Sequence, residues 1–427
     1  MNSQFQNSEE FLTRALKSIP LASQTFSKSI TSFPVGVSPL FVEKGRGSRV
    51  WDIDGNEFID FINALACVNL GYCDPDVDKA VKEQLERGVT FSLPHRLETE
   101  VAEKIIEMVP CAELVRFGKN GTDATSAAIR LARAYTKKEY IAVCGYHGWQ
   151  DWYIGSTTRD IGVPKSTKEL THKFNYNDIE SLEKILSKNE VAGVILEPMN
   201  LHYPENGFLE KIKILTQKHE AVLIFDETVT GFRYSPGGAQ EYFQVTPDLA
   251  TFGKGLANGY PLSAITGKKE IMTFMEDIFF SGTFGGETLS LAAAQATLKK
   301  IQREDVTKKV IDIGNYFTSL FNELVENLGL SNHFSLHGHP SWQFIQFSNL
   351  NGIDPFHVKT LYLQEVFKRG ILVLTSFNLS YAHSKEDLDT LTLVLKEVLP
   401  IVKKAIDKGE VRSSLNCQPL EALFQVR

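Results

Sequence analysis

The chain has 427 residues, 43% of them hydrophobic, enough to bury a large core and long enough to be expected to fold as two domains. A formal net charge of −7 and a pI near 5.9 give no reason to expect nucleic acid or an anionic membrane as a partner. Five cysteines without a Cys-x-x-Cys pair point to a reducing cytoplasm, and neither a bilayer-spanning apolar run nor a signal-peptide core is present.

Periodicity predicts a helix over 10–19, followed by an extended Ser/Thr/Pro stretch. Residues 50–60 read as a hairpin turned at Asp54-Gly55. From about 75 to 310 strand and helix alternate, with strands near 114–117, 140–143, 192–196, 222–225, 249–252 and 262–266. After Leu298 comes a long helical stretch and then a mixed tail to Arg427. The pattern predicts an α/β protein: a large domain over 75–310 with a mostly parallel sheet covered by helices, and a smaller α+β domain. The chain ends, 1–74 and 311–427, are expected to form that smaller domain.

In such sheets ligands collect at the carboxyl ends of the strands, and the unusual residues cluster there. After the strand at 114–117, Gly118-Lys119-Asn120-Gly121-Thr122-Asp123 opens a helix, a turn that suits an anion or, equally, an ordinary helix cap. After the next strand, Gly145-Tyr146-His147-Gly148-Trp149 offers an aromatic face between glycines, either to a flat ring or to the core. Glu197-Pro198 follows the apolar run 191–196 and either reaches substrate or simply ends the strand. Asp226 ends one apolar run and Lys254 follows another. An amine and a carboxylate at successive strand ends are what pyridoxal phosphate chemistry requires. The lysine carries the cofactor as a Schiff base, and the aspartate keeps the pyridine nitrogen protonated. Two unit charges about 4 Å apart at an effective dielectric of about 20 interact by roughly 4 kcal/mol, enough to hold that proton at neutral pH.

These segments together resemble the class III, fold-type I pyridoxal phosphate aminotransferases, and among them the glutamate-1-semialdehyde 2,1-aminomutase branch. The resemblance rests on GRGSRVWDIDGNEFIDF (45–61), VRFGKNGTDATSAAIRLARAYT (115–136), GYHG (145–148), DETVTGFR (226–233), TFGKGLANGYP (251–261) and SGTFGGE (281–287). It implies that Lys254 and Asp226 are catalytic, that Gly121 and Thr122 bind the cofactor phosphate, and that Tyr146 stacks on the ring. It further implies a homodimer with shared active sites, in which Thr283 reaches the phosphate of the neighbouring subunit. The reaction implied is transamination from an amino acid donor, glutamate among the candidates, to an aldehyde or ketone acceptor; no metal is expected.

Two departures bear on the substrate. The family's usual valine after Asp-Glu is Thr228 here, and the C-terminal stretch 372–384 is shorter than the comparable stretch of the aminomutases, which carries a glutamate; Asn378 sits closest to that place. The segment 149–168 is aromatic-rich and does not look like the aminomutase gating loop. An aminotransferase is therefore expected ahead of a glutamate-1-semialdehyde aminomutase, which remains the alternative. Glu197, Trp149, Arg233 and Asn378 are the substrate-side candidates. Arg233 either holds a substrate carboxylate or pairs with a structural acid, and Trp149, Trp152 and Tyr153 either line a broad pocket or pack the loop.

Overall fold

The structure, a computed structural model, describes residues 4–199 and 201–423. The chain divides into two compact units, one made of the residues up to Asp74 with Lys309–Leu423, the other of Pro75–Lys308.

In the first unit, helix Gln6–Ala15 precedes strands β1 (Val42–Arg46), β2 (Arg49–Asp52) and β3 (Glu57–Asp60). The helix starts four residues earlier than its apolar spacing suggests. Its first N–H groups, those of Asn7 and Ser8, donate to the Asp54 carboxylate at 2.6 and 3.0 Å, a cap supplied from a distant turn. The expected hairpin is β2–β3, antiparallel with Val50 opposite Phe58, and Gly55 takes φ +85° in its turn.

The second unit is built on a seven-stranded sheet of β4 (Leu114–Gly118), β5 (Tyr140–Cys144), β6 (Thr171–Lys173), β7 (Val191–Leu196), β8 (Val222–Asp226), β9 (Leu249–Phe252) and β10 (Ser263–Gly267). Their order is β4-β10-β9-β8-β7-β5-β6. Only β10 runs against its neighbours. The central strands are buried on both faces, which is why they read as continuous apolar runs rather than alternating ones. In β8, Val222 and Ile224 pack with Ala128 and Leu131 of helix Gly121–Thr136, while Leu223 and Phe225 pack with Leu209 and Ile212 of helix Phe208–Lys218. Each such fully buried aliphatic or aromatic side chain contributes about 1.5–3 kcal/mol. Strand β6 has no counterpart in the sequence reading. It is three residues, Thr-His-Lys, at the sheet edge, and its pairing with β5 makes it a strand without any apolar run. The helical stretch after Leu298 is two helices, Thr288–Arg303 and Val306–Asn327, divided at Asp305 with φ +51°.

The first unit is completed by β11 (Phe334–His339), β12 (Trp342–Phe347), β13 (Ile371–Leu372) and β14 (Ser376–Asn378). Strand β13 lies parallel to β3, with Ile371 opposite Ile59, so segments from both ends of the chain share one sheet. The expected class, a helix-covered and mostly parallel α/β sheet with a separate smaller α+β domain, is the one observed.

Because β4 and β5–β9 all point the same way, their carboxyl ends lie along one edge of the large sheet. The amino end of β10 joins them, with Ser263 opposite Gly118.

Candidate active site

Asp226 closes β8 at that edge and is 4% exposed. Its Oδ1 accepts three hydrogen bonds, from the Thr228 N–H at 3.1 Å, the Thr228 hydroxyl at 2.6 Å and the Thr251 hydroxyl at 3.1 Å. Its Oδ2 faces Nδ1 of His147 at 2.8 Å. Burial pushes this carboxyl upward, but the hydrogen bond and charge of His147, with the bonds from Thr228, outweigh it and hold Asp226 below the ordinary carboxylate range.

His147 is a partner of Asp226 that the sequence alone did not single out. It is 2% exposed, and its other nitrogen, Nε2, lies 3.1 Å from the Cys144 carbonyl oxygen. Both ring nitrogens thus face acceptors, and a ring protonated on both satisfies both. The signal was its position one residue after Tyr146. Its partner, Asp226, stands 79 positions away in the chain and two strands away in the sheet.

Glu197 follows β7. Its Oε2 accepts the Tyr146 N–H at 3.1 Å and occupies the space a side chain on Gly145 would need, 2.4 Å from the position of a Cβ. Gly145 has φ +104°, so both its backbone and its surroundings require glycine. Burial drives the Glu197 carboxyl above its usual value. His147 and Lys254 draw it back, and the charge of Asp226 adds to the rise. The turn so held presents the Tyr146 ring half exposed, edge-on to Tyr153 at 5.5 Å.

At the end of β4 the Asp123 carboxylate reaches back to accept the N–H groups of Lys119 and Asn120 at 3.0 and 2.8 Å, which fixes the turn before helix Gly121–Thr136. The N–H groups of Gly121 and Thr122 open the helix and have no intrahelical acceptor. The Thr122 hydroxyl is buried with no hydrogen-bond partner among the described residues. Lys254 begins a short helical turn after β9 with φ +39°, a left-handed conformation costly for a residue with a side chain. The Gly253 preceding it packs on Gly121, the point where its Cβ would stand lying 3.6 Å from the Gly121 Cα. Lysine loop and helix turn are therefore in contact.

The remaining candidates fall in different surroundings. Thr283 is exposed on a turn of the second unit, and Trp149 is 64% exposed. Trp152 and Tyr153 are core residues, with Trp152 Nε1 donating to the Ser126 hydroxyl at 2.9 Å and the Tyr153 hydroxyl donating to the Gly145 carbonyl at 2.8 Å. Arg233 is 3% exposed, placed inside its unit rather than on an open face. Asn378 belongs to the first unit, where its side-chain amide donates to the Ile62 carbonyl at 2.8 Å and its carbonyl accepts from the Asn63 amide. A backbone carbonyl claims its amide, while its side-chain Oδ1 is buried with no hydrogen-bond partner among the described residues. The sequence alone does not show that 62 and 378 meet.

The profile of the class-III aminotransferase family matches residues 32–332. This chain belongs to the class-III aminotransferases. It is 36% identical over 387 residues to a 3-aminobutyryl-CoA aminotransferase of Cloacimonas acidaminovorans, covering 88% of this chain and 92% of that one. It is 33% identical over 425 residues to glutamate-1-semialdehyde 2,1-aminomutase 2 of Lachnoclostridium phytofermentans, covering 92% and 99%. Its fold superimposes with a TM-score of 0.84 on the crystal structure of an omega-transaminase from Sphaerobacter thermophilus, at 25% identity over 92% of this chain and 97% of that one.

Class-III aminotransferases are pyridoxal 5′-phosphate enzymes, and the residues at the sheet edge fit that cofactor. The helix turn with its unpartnered Thr122 hydroxyl suits the phosphate. Asp226 keeps acceptor capacity on Oδ2 for the ring nitrogen, and Lys254 supplies an amine.

Proposed function

We propose that this aminotransferase moves an amino group between two separate molecules, from an amino acid donor such as glutamate to an aldehyde or ketone acceptor. The observation that carries the site assignment is the meeting of Asp226, Lys254 and the Gly121–Thr122 turn at one sheet edge, with Gly253 packed on Gly121. Bound there, pyridoxal 5′-phosphate supplies an electrophilic carbonyl for the donor amine and an electron sink for the carbon that loses a proton.

The chain's own residues do the rest. Lys254 Nζ is the amine that would hold the cofactor and, when free, would take the α-proton and return it. Asp226 Oδ2 would accept a hydrogen bond from the protonated ring nitrogen, with His147 keeping the carboxylate ionised. The Thr122 hydroxyl and the helix N–H groups would hold the phosphate, and Tyr146 would offer its ring to the cofactor. Glu197, which accepts the Tyr146 N–H, and Trp149, exposed three residues after Tyr146, would be the residues offered to substrate.

Transfer between molecules is favoured over the aminomutase reading by the segment after Tyr146. Trp152 and Tyr153 pin it to the sheet as core, whereas an intramolecular transfer needs a loop that closes over its intermediate. A homodimer is supported by Leu93, Phe279 and Phe284, which are 79%, 82% and 59% exposed in the second unit, with Thr283 on the same turn as Phe284. A cytoplasmic setting is supported by five cysteines that form no disulfide.

The test is a half-reaction on purified holoenzyme, adding L-glutamate and then other donors while following the cofactor's visible absorbance and the release of 2-oxo acid. Stoichiometric release by wild type and none by Lys254→Ala is the expected result. Turnover of glutamate-1-semialdehyde to 5-aminolevulinate without release to any acceptor overturns it in favour of the aminomutase.

A further inference from the structure

We propose that Thr228 is a positioning residue whose hydroxyl divides the labour between the two oxygens of Asp226 and whose methyl group spaces the phosphate turn from the lysine loop. This rests on the reading that Asp226 accepts a hydrogen bond from the protonated ring nitrogen.

The side chain has two ends with two different neighbours. Its hydroxyl donates to Asp226 Oδ1 at 2.6 Å, the shortest of the hydrogen bonds to that carboxylate. A carboxylate oxygen offers about two lone-pair directions. Oδ1, with donors from the Thr228 N–H, the Thr228 hydroxyl and the Thr251 hydroxyl, is filled. Oδ2 accepts only from His147 among these bonds and keeps one direction open. The donors crowded on Oδ1, with the Thr228 hydroxyl the nearest of them, therefore direct an incoming N–H to Oδ2. The opposite end, Cγ2, lies 3.0 Å from the point where a Cβ on Gly121 would stand and 3.3 Å from the corresponding point on Gly253. One methyl group wedges between the residue that opens the phosphate turn and the residue before Lys254, and neither position has room for a larger side chain. Valine at 228 keeps the wedge and loses the donor, and serine keeps the donor and loses the wedge.

The hydroxyl also bears on charge, since a hydrogen bond to a carboxylate favours its ionised form. The other groups that face Asp226 are His147, whose charge acts in the same direction, and Glu197, Tyr146 and Tyr153, whose own proton affinities Asp226 raises. Lys254 acts on the same cluster through Glu197.

The experiment measures retention of pyridoxal 5′-phosphate, and the visible absorbance of the bound cofactor, from about pH 3 to 8 for wild type, Thr228→Val, Thr228→Ser and Asp226→Asn. Retention of phosphate-free pyridoxal is measured in parallel. Losing one charge-assisted hydrogen bond moves the acid limb of retention upward by about one pH unit in Thr228→Val. Thr228→Ser leaves that limb in place and instead narrows the advantage of the phosphorylated cofactor over pyridoxal by several-fold. A Thr228→Val limb that superimposes on wild type, or identical behaviour of the valine and serine variants, overturns the proposal. A limb that survives in Asp226→Asn overturns the underlying reading of Asp226 and this inference with it. A limb that Asp226→Asn removes and Thr228→Val leaves unmoved overturns the inference alone.

Discussion

Asp226 and Glu227 are neighbours in the chain, both carboxylates and both buried, yet they end β8 in opposite conditions. Glu227 is closed. The backbone N–H groups of Ala239 and Gln240, the Gln240 side-chain amide and the Thr230 hydroxyl donate to its two oxygens at 2.5–3.1 Å. Asp226 crowds its donors onto one oxygen and leaves the other partly open. Burial and charge do not separate a structural carboxylate from a receptive one here. The completeness of the donor set does.

The sharpest way to break this comparison is to exchange the two charges for amides or nothing. Asp226→Asn removes an interaction of about 4 kcal/mol with a protonated ring and is expected to lower kcat by about a thousandfold, with a thermal unfolding midpoint close to wild type. A midpoint that collapses would place Asp226 with Glu227. Conversely, Glu227→Ala orphans four buried donors. It is expected to cost about 3–5 kcal/mol of stability in denaturant titration, while the folded fraction keeps its kcat within about threefold.

A smaller effect belongs to the unpartnered hydroxyl at the helix turn. Thr122→Val is expected to weaken cofactor retention about tenfold by equilibrium dialysis, the size of one hydrogen bond to a charged group, without moving the acid limb. The least effect is in pH. Burial holds Glu227 above its usual value, against the hydrogen bonds it receives, so its contribution is full below about pH 4.5 and is lost as pH rises through the folded value. Asp226, held low, behaves oppositely: its contribution is present above about pH 4 and is lost as pH falls through the folded value. The slope of the unfolding midpoint between pH 4.5 and 7 should therefore be shallower in Glu227→Gln than in wild type, and unchanged in Thr122→Val.

What could be read from the sequence follows from where the signal was local. The buried strands announce themselves as apolar runs, so the sheet and the residues at its ends, Asp226 and Lys254 above all, were legible before any coordinates. Tyr146 and Gly121 were legible because glycines mark the turns that carry them. What stayed hidden depends on pairs distant in sequence. His147 becomes a partner of Asp226 only when β5 and β8 lie in one sheet with β7 between them. Trp152 and Tyr153 look like pocket walls in a list of aromatics, and become core once Ser126 and the Gly145 carbonyl take their polar atoms. Asn378 reads as a substrate-side candidate until residue 62 arrives beside it. Thr228 was visible as a departure from the family, but the use of its hydroxyl was not.

The pairing of β3 with β13 sets a schedule for biosynthesis. Ile59 waits for Ile371, 312 positions later (371 − 59), before its strand has that neighbour. At a synthesis rate of roughly 5–20 residues per second the delay is about 15–60 s. Throughout it Phe58, Ile59 and Phe61, which end up almost wholly buried, belong to a nascent segment whose sheet is unfinished. The continuous Pro75–Lys308 unit can meanwhile assemble behind it. For this chain the hazardous interval on the ribosome falls on the first seventy residues, and a chaperone that holds extended apolar chain would be needed there and not at the sheet that carries the chemistry.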